Sequence, residues 1–201
     1  MDDYITREKQ RYMALARQIT PDVRDWRAIW DRLAFAILSA SAPFDRTVSA
    51  LQHAVATRGH ASVFTLRALG MVPRKAEYLD KLPHETLPVT HVRGGDETWN
   101  SYRLRLQNTV LGLGLTKASF AACLLYPLDA DLACIDTWMQ RAFMGTRGFQ
   151  ELSLTRYRVI ERKVQAIARF HSIPTFVAQW LIWDHTRGKV TDHNVFPGRH
   201  K

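Results

Sequence analysis

The sequence predicts an all-α protein. Apolar residues recur at steps of three and four through nearly every segment, the spacing of a helix face buried on one side. Sustained period-two alternation is missing, and Gly, Pro and short polar clusters cut the chain into helix-sized pieces joined by brief connections, which leaves no place for a parallel sheet. The 201 residues suit one domain or two small ones, and 46% hydrophobic and 23% charged residues are ordinary globular values. Disorder as the main state, collagen and coiled coil are excluded. No apolar run reaches membrane-spanning length, and Met1-Asp2-Asp3-Tyr4 does not have the shape of a signal peptide.

Asp3 to Gln18 reads as a charged first helix stopped at Thr20-Pro21. Asp22 to Ser41 carries Val23, Trp26, Ile29, Trp30, Leu33, Ile37 and Leu38 at helical spacing, reads as an amphipathic helix that becomes buried towards its end, and is closed by Pro43. Arg46 to Thr57, Ser62 to Leu69 and Pro73 to Leu82 continue the pattern. Residues 83–95 form a linker with Pro83, Pro88, Gly94 and Gly95, in which Val89-Thr90-His91-Val92 has the composition of a short strand without an evident partner. Helices are then expected over Glu97 to Val110, Leu115 to Tyr126, Ile135 to Met144 and Thr155 to His171, and from Pro174 to about Asp184, before a polar tail from Thr186.

Charge narrows the partners. Twenty-eight basic against nineteen acidic residues give a net charge of +9, unevenly placed: residues 1–100 carry 14 basic and 12 acidic side chains, residues 101–201 carry 14 and 7. Most of the cations are Arg, whose planar fork suits phosphate. A polyanion, nucleic acid first, is the implied partner, with a basic but non-binding surface as the plain alternative. Two cysteines, Cys123 and Cys134, cannot build a disulfide framework or a four-cysteine metal cluster, and point to a reducing, cytoplasmic compartment.

The segment Val110 to Arg141, VLGLGLTKASFAACLLYPLDADLACIDTWMQR, carries the chemistry. Leu111-Gly112-Leu113-Gly114 joins two helices through glycines that permit unusual φ and close backbone approach. The second helix opens with free N–H groups that favour an anion such as phosphate. Thr116 and Lys117 stand at that helix start. Further on, Asp136 interrupts an apolar run, Ala133-Cys134-Ile135. A carboxylate so placed is either a helix N-cap or a functional group, and one side chain can be both.

These residues resemble the helix–hairpin–helix (HhH-GPD) DNA glycosylase superfamily, of the endonuclease III type. That family has a hairpin of form LPGVG, matched here by Leu111-Gly112-Leu113-Gly114, and a (V/I)DTH segment about twenty residues on, matched by Ile135-Asp136-Thr137-Trp138. Upstream, Ala36-Ile37-Leu38-Ser39-Ala40-Ser41 resembles the family's LLSAQ helix end, and Leu69-Gly70 with Arg74-Lys75-Ala76-Glu77 resembles its (I/L)G-x-x-x-x-KA segment. The resemblance covers about residues 30 to 142.

It implies two helical lobes: a central barrel over residues 31–142 that holds the helix–hairpin–helix motif at about 97–126, and a second lobe from 1–30 plus 143–201, with an active cleft between them. It implies an enzyme of base excision repair that acts on a base flipped out of DNA. Asp136 then stabilises the positive sugar as the glycosidic bond breaks. Leu111, Gly112, Leu113, Gly114, Thr116, Lys117, Ser41 and Arg141 are the implied DNA contacts, and Trp138 and Trp180 the implied base pocket. The resemblance also implies a monovalent cation held by hairpin carbonyls, no iron–sulfur cluster (four cysteines being required), and a monomer associated with DNA.

The chain departs from the family pattern in four places. The lysine of lyase-competent members stands four residues after the first hairpin glycine, where this chain has Thr116. Lys117 is one residue further, about 100° around the helix, so a monofunctional glycosylase is expected rather than a Schiff-base lyase. Leucine replaces the hairpin proline, Trp138 the usual histidine, and Ser41 a glutamine that helps fill the gap left in DNA. Loss of the lysine and the altered DTH segment also fit a second class on the same fold, phage-borne enzymes that transfer an amine or amino acid onto an activated modified thymine. A non-catalytic DNA-binding module is the third reading.

Other features have plainer readings. Trp180 and Trp183 read first as core of the last helix, as do Trp26 and Trp30. Asp184-His185 and Asp192-His193 lack metal-ligand spacing, and no metal site is expected. Arg156, Arg158, Arg162, Lys163 and Arg169 either track phosphates or form a solvated helix face.

Overall fold

The computed structural model describes residues 1–57, 63–83 and 85–190. Eleven helices occur among them: α1 (Asp2–Ile19), α2 (Trp26–Leu38), α3 (Phe44–Ala56), α4 (Val63–Ala68), α5 (Arg74–Asp80), α6 (Leu87–Thr90), α7 (Trp99–Thr109), α8 (Leu115–Leu125), α9 (Thr137–Met144), α10 (Leu154–His171) and α11 (Thr175–Arg187). The fold is all-helical, as the periodicity predicts. None of the described helices is long and apolar enough to cross a membrane.

Two expectations are corrected. Val89–Val92 is no strand: Leu87–Thr90 forms one helical turn with Pro88 in its first positions, where the fixed proline φ fits and no N–H is missed. The second helix starts at Trp26 rather than Asp22, because the Asp25 carboxylate accepts the Arg27 N–H and caps it. Ser62, expected to open the fourth helix, and the Asp192-His193 pair lie outside the described residues.

The chain forms two compact units. In the first, Met1–Thr20 joins the chain from Ala122 onward. α11 is its centre, packed by α1, α9 and α10, which is why Phe176, Val177, Ala178, Leu181 and Ile182 are all buried. The Tyr12 hydroxyl donates to the buried Asp184 carboxylate at 2.6 Å and fastens α1 to α11. Burial, then that carboxylate, push the Tyr12 phenol far above its ordinary value, so it stays a donor.

In the second unit, Pro21–Ala121, the apolar α2 is packed by α3, α5 and α6. The end of α2 is closed by a lysine from α5. Buried Lys75 donates through Nζ to the Leu38 carbonyl at 2.7 Å and the Ala40 carbonyl at 2.6 Å. Those carbonyls would otherwise lack helical partners. The next residue, Ser41, is exposed and in the left-handed region at φ 51°, so the lysine clasps the turn just before its strained residue.

Burial, with the positive charge of Lys117 as a smaller cause, lowers the Lys75 ammonium to about 8. The sign of the stability effect follows. Below pH 8 both folded and unfolded chains hold this proton. As pH rises towards the ordinary 10.5, the folded chain releases it first, so this group favours folding increasingly with pH. Wild type should therefore gain about 2 kcal/mol over Lys75→Met between pH 7.5 and 9.5. Urea unfolding of both proteins at the two pH values checks this, and a constant difference would refute it.

Candidate functional site

The segment 131–136 lies between α8 and α9 without regular secondary structure. No neighbouring strand satisfies its backbone; side chains of the same unit do. Gln165 donates to the Asp131 carbonyl at 2.9 Å, and the Cys123 thiol to the Leu132 carbonyl at 3.3 Å. The buried Glu161 carboxylate accepts the Ala133 N–H at 3.0 Å, and the Gln179 side-chain oxygen accepts the Cys134 N–H at 2.6 Å. The Tyr157 hydroxyl donates to the Ala133 carbonyl at 2.7 Å and accepts the Ile135 N–H at 3.3 Å. An otherwise costly buried loop is thus paired nearly group by group.

This segment delivers Asp136. Its Oδ1 accepts the N–H groups of Trp138 and Met139, both at 3.0 Å, which makes it the N-cap of α9. Its Oδ2 accepts the indole N–H of Trp183 at 2.9 Å. Three donors hold the half-buried carboxylate in one orientation. The capping and functional readings of Asp136 are therefore compatible: one oxygen starts the helix while the other is fixed by an aromatic donor.

Trp183 is the residue that sequence reasoning placed in the core and missed as a partner of Asp136. A half-buried tryptophan needs an acceptor for its N–H, but nothing in the sequence ties it to a residue 47 positions away. Its ring is covered by the Arg187 guanidinium, 3.9 Å from the centroid, and Arg187 also stands 3.8 Å from Asp184. Asp184 is thereby committed to Tyr12 and Arg187, while the His185 ring lies 5.0 Å from Tyr4, so this acid–His pair has structural work.

The other implied residues of this unit fall on α9 and α11. Arg141 lies over the Trp138 ring at 4.2 Å and donates to the Arg147 carbonyl at 3.1 Å. Trp180 packs against Tyr12 and Phe176, with centroids 5.5 and 5.3 Å away. The loop after α9 is held by buried Gln140, which donates to the Gln150 carbonyl at 2.9 Å and accepts its N–H at 2.8 Å.

The hairpin residues and Ser41 belong to the other unit. Gly112 has φ +86°, and a Cβ there would run into the Tyr78 ring, so both backbone and packing require glycine. Gly114 has neither constraint: a Cβ would meet nothing within 4 Å. Leu113 is buried, its N–H donated to the Val110 carbonyl at 3.2 Å, and Leu111 is half exposed. The Gly114 carbonyl accepts the Ala118 N–H at 2.8 Å, leaving the first-turn N–H groups of α8 outside the helical ladder. Thr116 and Lys117 are half-buried in that turn, and the Lys117 ammonium stands 5.3 Å from the Phe120 ring. Behind the turn, buried Arg103 donates to Ser119 at 3.2 Å and to Asn100 at 2.5 Å, which ties α7 to α8.

No protein-family model and no curated protein matches the sequence. Solved structures do match the fold. The 8-oxoguanine DNA glycosylase of Thermotoga maritima is 18% identical, with a TM-score of 0.68 over 92% of this chain and 95% of its own. The 8-oxoguanine glycosylase/lyase of Methanocaldococcus jannaschii, solved with a 15mer DNA containing 8-oxoguanine, is 19% identical, with a TM-score of 0.72 over 92% and 93%. A further structure of the 8-oxoguanine DNA glycosylase of the same organism gives a TM-score of 0.72 over 94% of both chains at the same identity. The chain thus has the helical fold of these proteins.

Removing the cap and the indole bond should be felt in stability. Asp136→Ala should cost about 1–2 kcal/mol, and Trp183→Phe about 1 kcal/mol. In a double-mutant cycle with Asp136→Asn, denaturant unfolding should show coupling between the two positions, whereas strictly additive effects would show that the bond contributes nothing.

Proposed function

We propose that this chain is a monofunctional DNA glycosylase that hydrolyses the N-glycosidic bond of a base flipped out of DNA, with Asp136 stabilising the sugar cation. The observation that carries the reading is the oriented carboxylate of Asp136, on a fold that matches three glycosylase structures over more than nine-tenths of the chain. As the bond breaks, its electron pair leaves with the base and C1′ becomes positive. A carboxylate already fixed by three N–H donors opposes that charge without reorganising. Water then adds to C1′, its hydroxyl remaining on the sugar and its proton leaving with the base.

Thr116 at the lyase lysine position supports hydrolysis over Schiff-base chemistry. Gly114 supports the hairpin as the backbone grip: the fold gives no internal reason for glycine there, whereas an approaching phosphate does. A monovalent cation would be held by the backbone carbonyls of the Leu111–Leu113 turn, hard oxygen donors of the kind it takes. Bound there, it would add positive charge beside a phosphate.

Duplexes carrying damaged, mismatched and modified bases, 8-oxoguanine first because of the fold neighbours, test the reading. Free base should be released, and Asp136→Asn should lower the rate by at least about a hundredfold. Borohydride should trap no protein–DNA adduct; an adduct lost in Lys117→Ala would replace hydrolysis by lyase chemistry. Intact strands with a heavier base would move the assignment to base modification. Bound DNA with no product would leave a binding module.

Lys117→Ala should reduce the salt slope of DNA binding by about one unit, as expected for one lost phosphate contact. An unchanged slope would remove the hairpin from the interface.

A further inference from the structure

The solvent face of α10 is the most strongly charged helix face that the proposed chemistry leaves unused. Its exposed cations are Arg156, Arg158, Arg162, Lys163 and Arg169, and none of them forms an ion pair among the described residues. The only acid of the helix, Glu161, is buried and accepts the Ala133 N–H. Helical geometry places Arg158, Arg162 and Arg169 on one strip about 17 Å long. Arg158 and Arg162 are four residues apart, a like-charge spacing that weakens a helix.

α1 shows the ordinary solution to the same problem. It interleaves acids with its bases, and Glu8 pairs with Arg7 at 2.9 Å and with Arg11 at 3.8 Å. A face needed only for solubility is served by such mixing. A face of uncompensated arginines is served by an external polyanion.

We propose that the Arg158–Arg162–Arg169 strip is a second DNA-backbone contact, separate in sequence from the hairpin and carried by the unit that holds Asp136. The proposal rests on DNA being the partner, as argued above. Duplex DNA presents about ten phosphate charges over the length of the strip, and arginine forks suit them. The buried face of the same helix supplies Tyr157 and Glu161, which pin the Asp136 segment, while Gln165 at its edge holds Asp131. A phosphate bound on the strip therefore fixes the duplex relative to the reacting carboxylate through one rigid helix. Backbone contacts of this kind add affinity to every sequence alike.

The test is the salt dependence of binding to unmodified duplex, which does not depend on base release, so failure of the enzymatic reading and failure of this one are separable. The triple variant Arg158→Gln, Arg162→Gln, Arg169→Gln should lower the slope of log affinity against log salt by two to three units, and Arg162→Gln alone by about one. The charge-matched control Arg7→Gln, Arg11→Gln, Arg17→Gln on α1 should leave the slope unchanged, with circular dichroism confirming the helix content of all three proteins. The ratio of affinities for lesion-bearing and plain duplex should be the same in the triple variant as in wild type. A wild-type slope in the triple variant would overturn the proposal and leave the strip to an acidic protein or to solvent. An equal fall in the control would reduce it to a net-charge effect, and a selective loss of lesion binding would place these arginines in recognition rather than on the backbone.

Discussion

The pairing of segment 131–136 is the constraint on which the candidate site depends. Residues Leu132 to Ile135 of this segment are buried in a helical unit without a strand beside them. Leaving their backbone groups bare would cost more than a small unit can spare. Glu161, Gln179, Tyr157, Cys123 and Gln165 take the place of a neighbouring strand, from three different helices. Because each of those helices is itself anchored in the core, the segment has one register. Asp136 at its end therefore arrives in one position, ready to be capped into α9 and held by Trp183.

This explains why buried polar residues are gathered on α10 and α11. Glu161 and Gln179 look like misplaced polar residues in apolar helix faces until their partners are known. Each is the acceptor for one backbone N–H of the segment, an exchange that removes two orphan groups at once. The same economy operates in the other unit, where Lys75 closes α2 and shapes the turn at Ser41. In both units a long polar side chain, rather than regular secondary structure, sets the local course of the backbone.

Much of this was legible in the sequence, and the reasons are local. Ten of the eleven helices follow from apolar spacing, the hairpin from two glycines between helices, and Asp136 from an acid in an apolar run before Thr137. The misreading at Val89–Val92 came from weighing β-branched composition above Pro88, whose fixed φ starts a helical turn. The invisible part is non-local. Trp183, Glu161, Gln179 and Tyr157 reach the site across 22 to 47 residues, and no spacing rule links positions that only folding brings together. The two hairpin glycines look alike in the sequence, yet Gly112 is required by Tyr78 and by its φ, whereas Gly114 is free of both.

The bond between Tyr12 and Asp184 joins positions 172 residues apart, and it sets a timetable for biosynthesis. At ordinary translation speeds, α1 emerges about ten to thirty seconds before the helix that will receive it. The stretch Pro21–Ala121 is complete well before that. The newborn chain therefore holds an early, self-contained half while its first helix waits with Ile5, Tyr12 and Ala16 uncovered. The platform beneath Asp136 is assembled last, so a ribosome that stalls before α11 releases a product with the hairpin but without the Trp183 bond that holds Asp136.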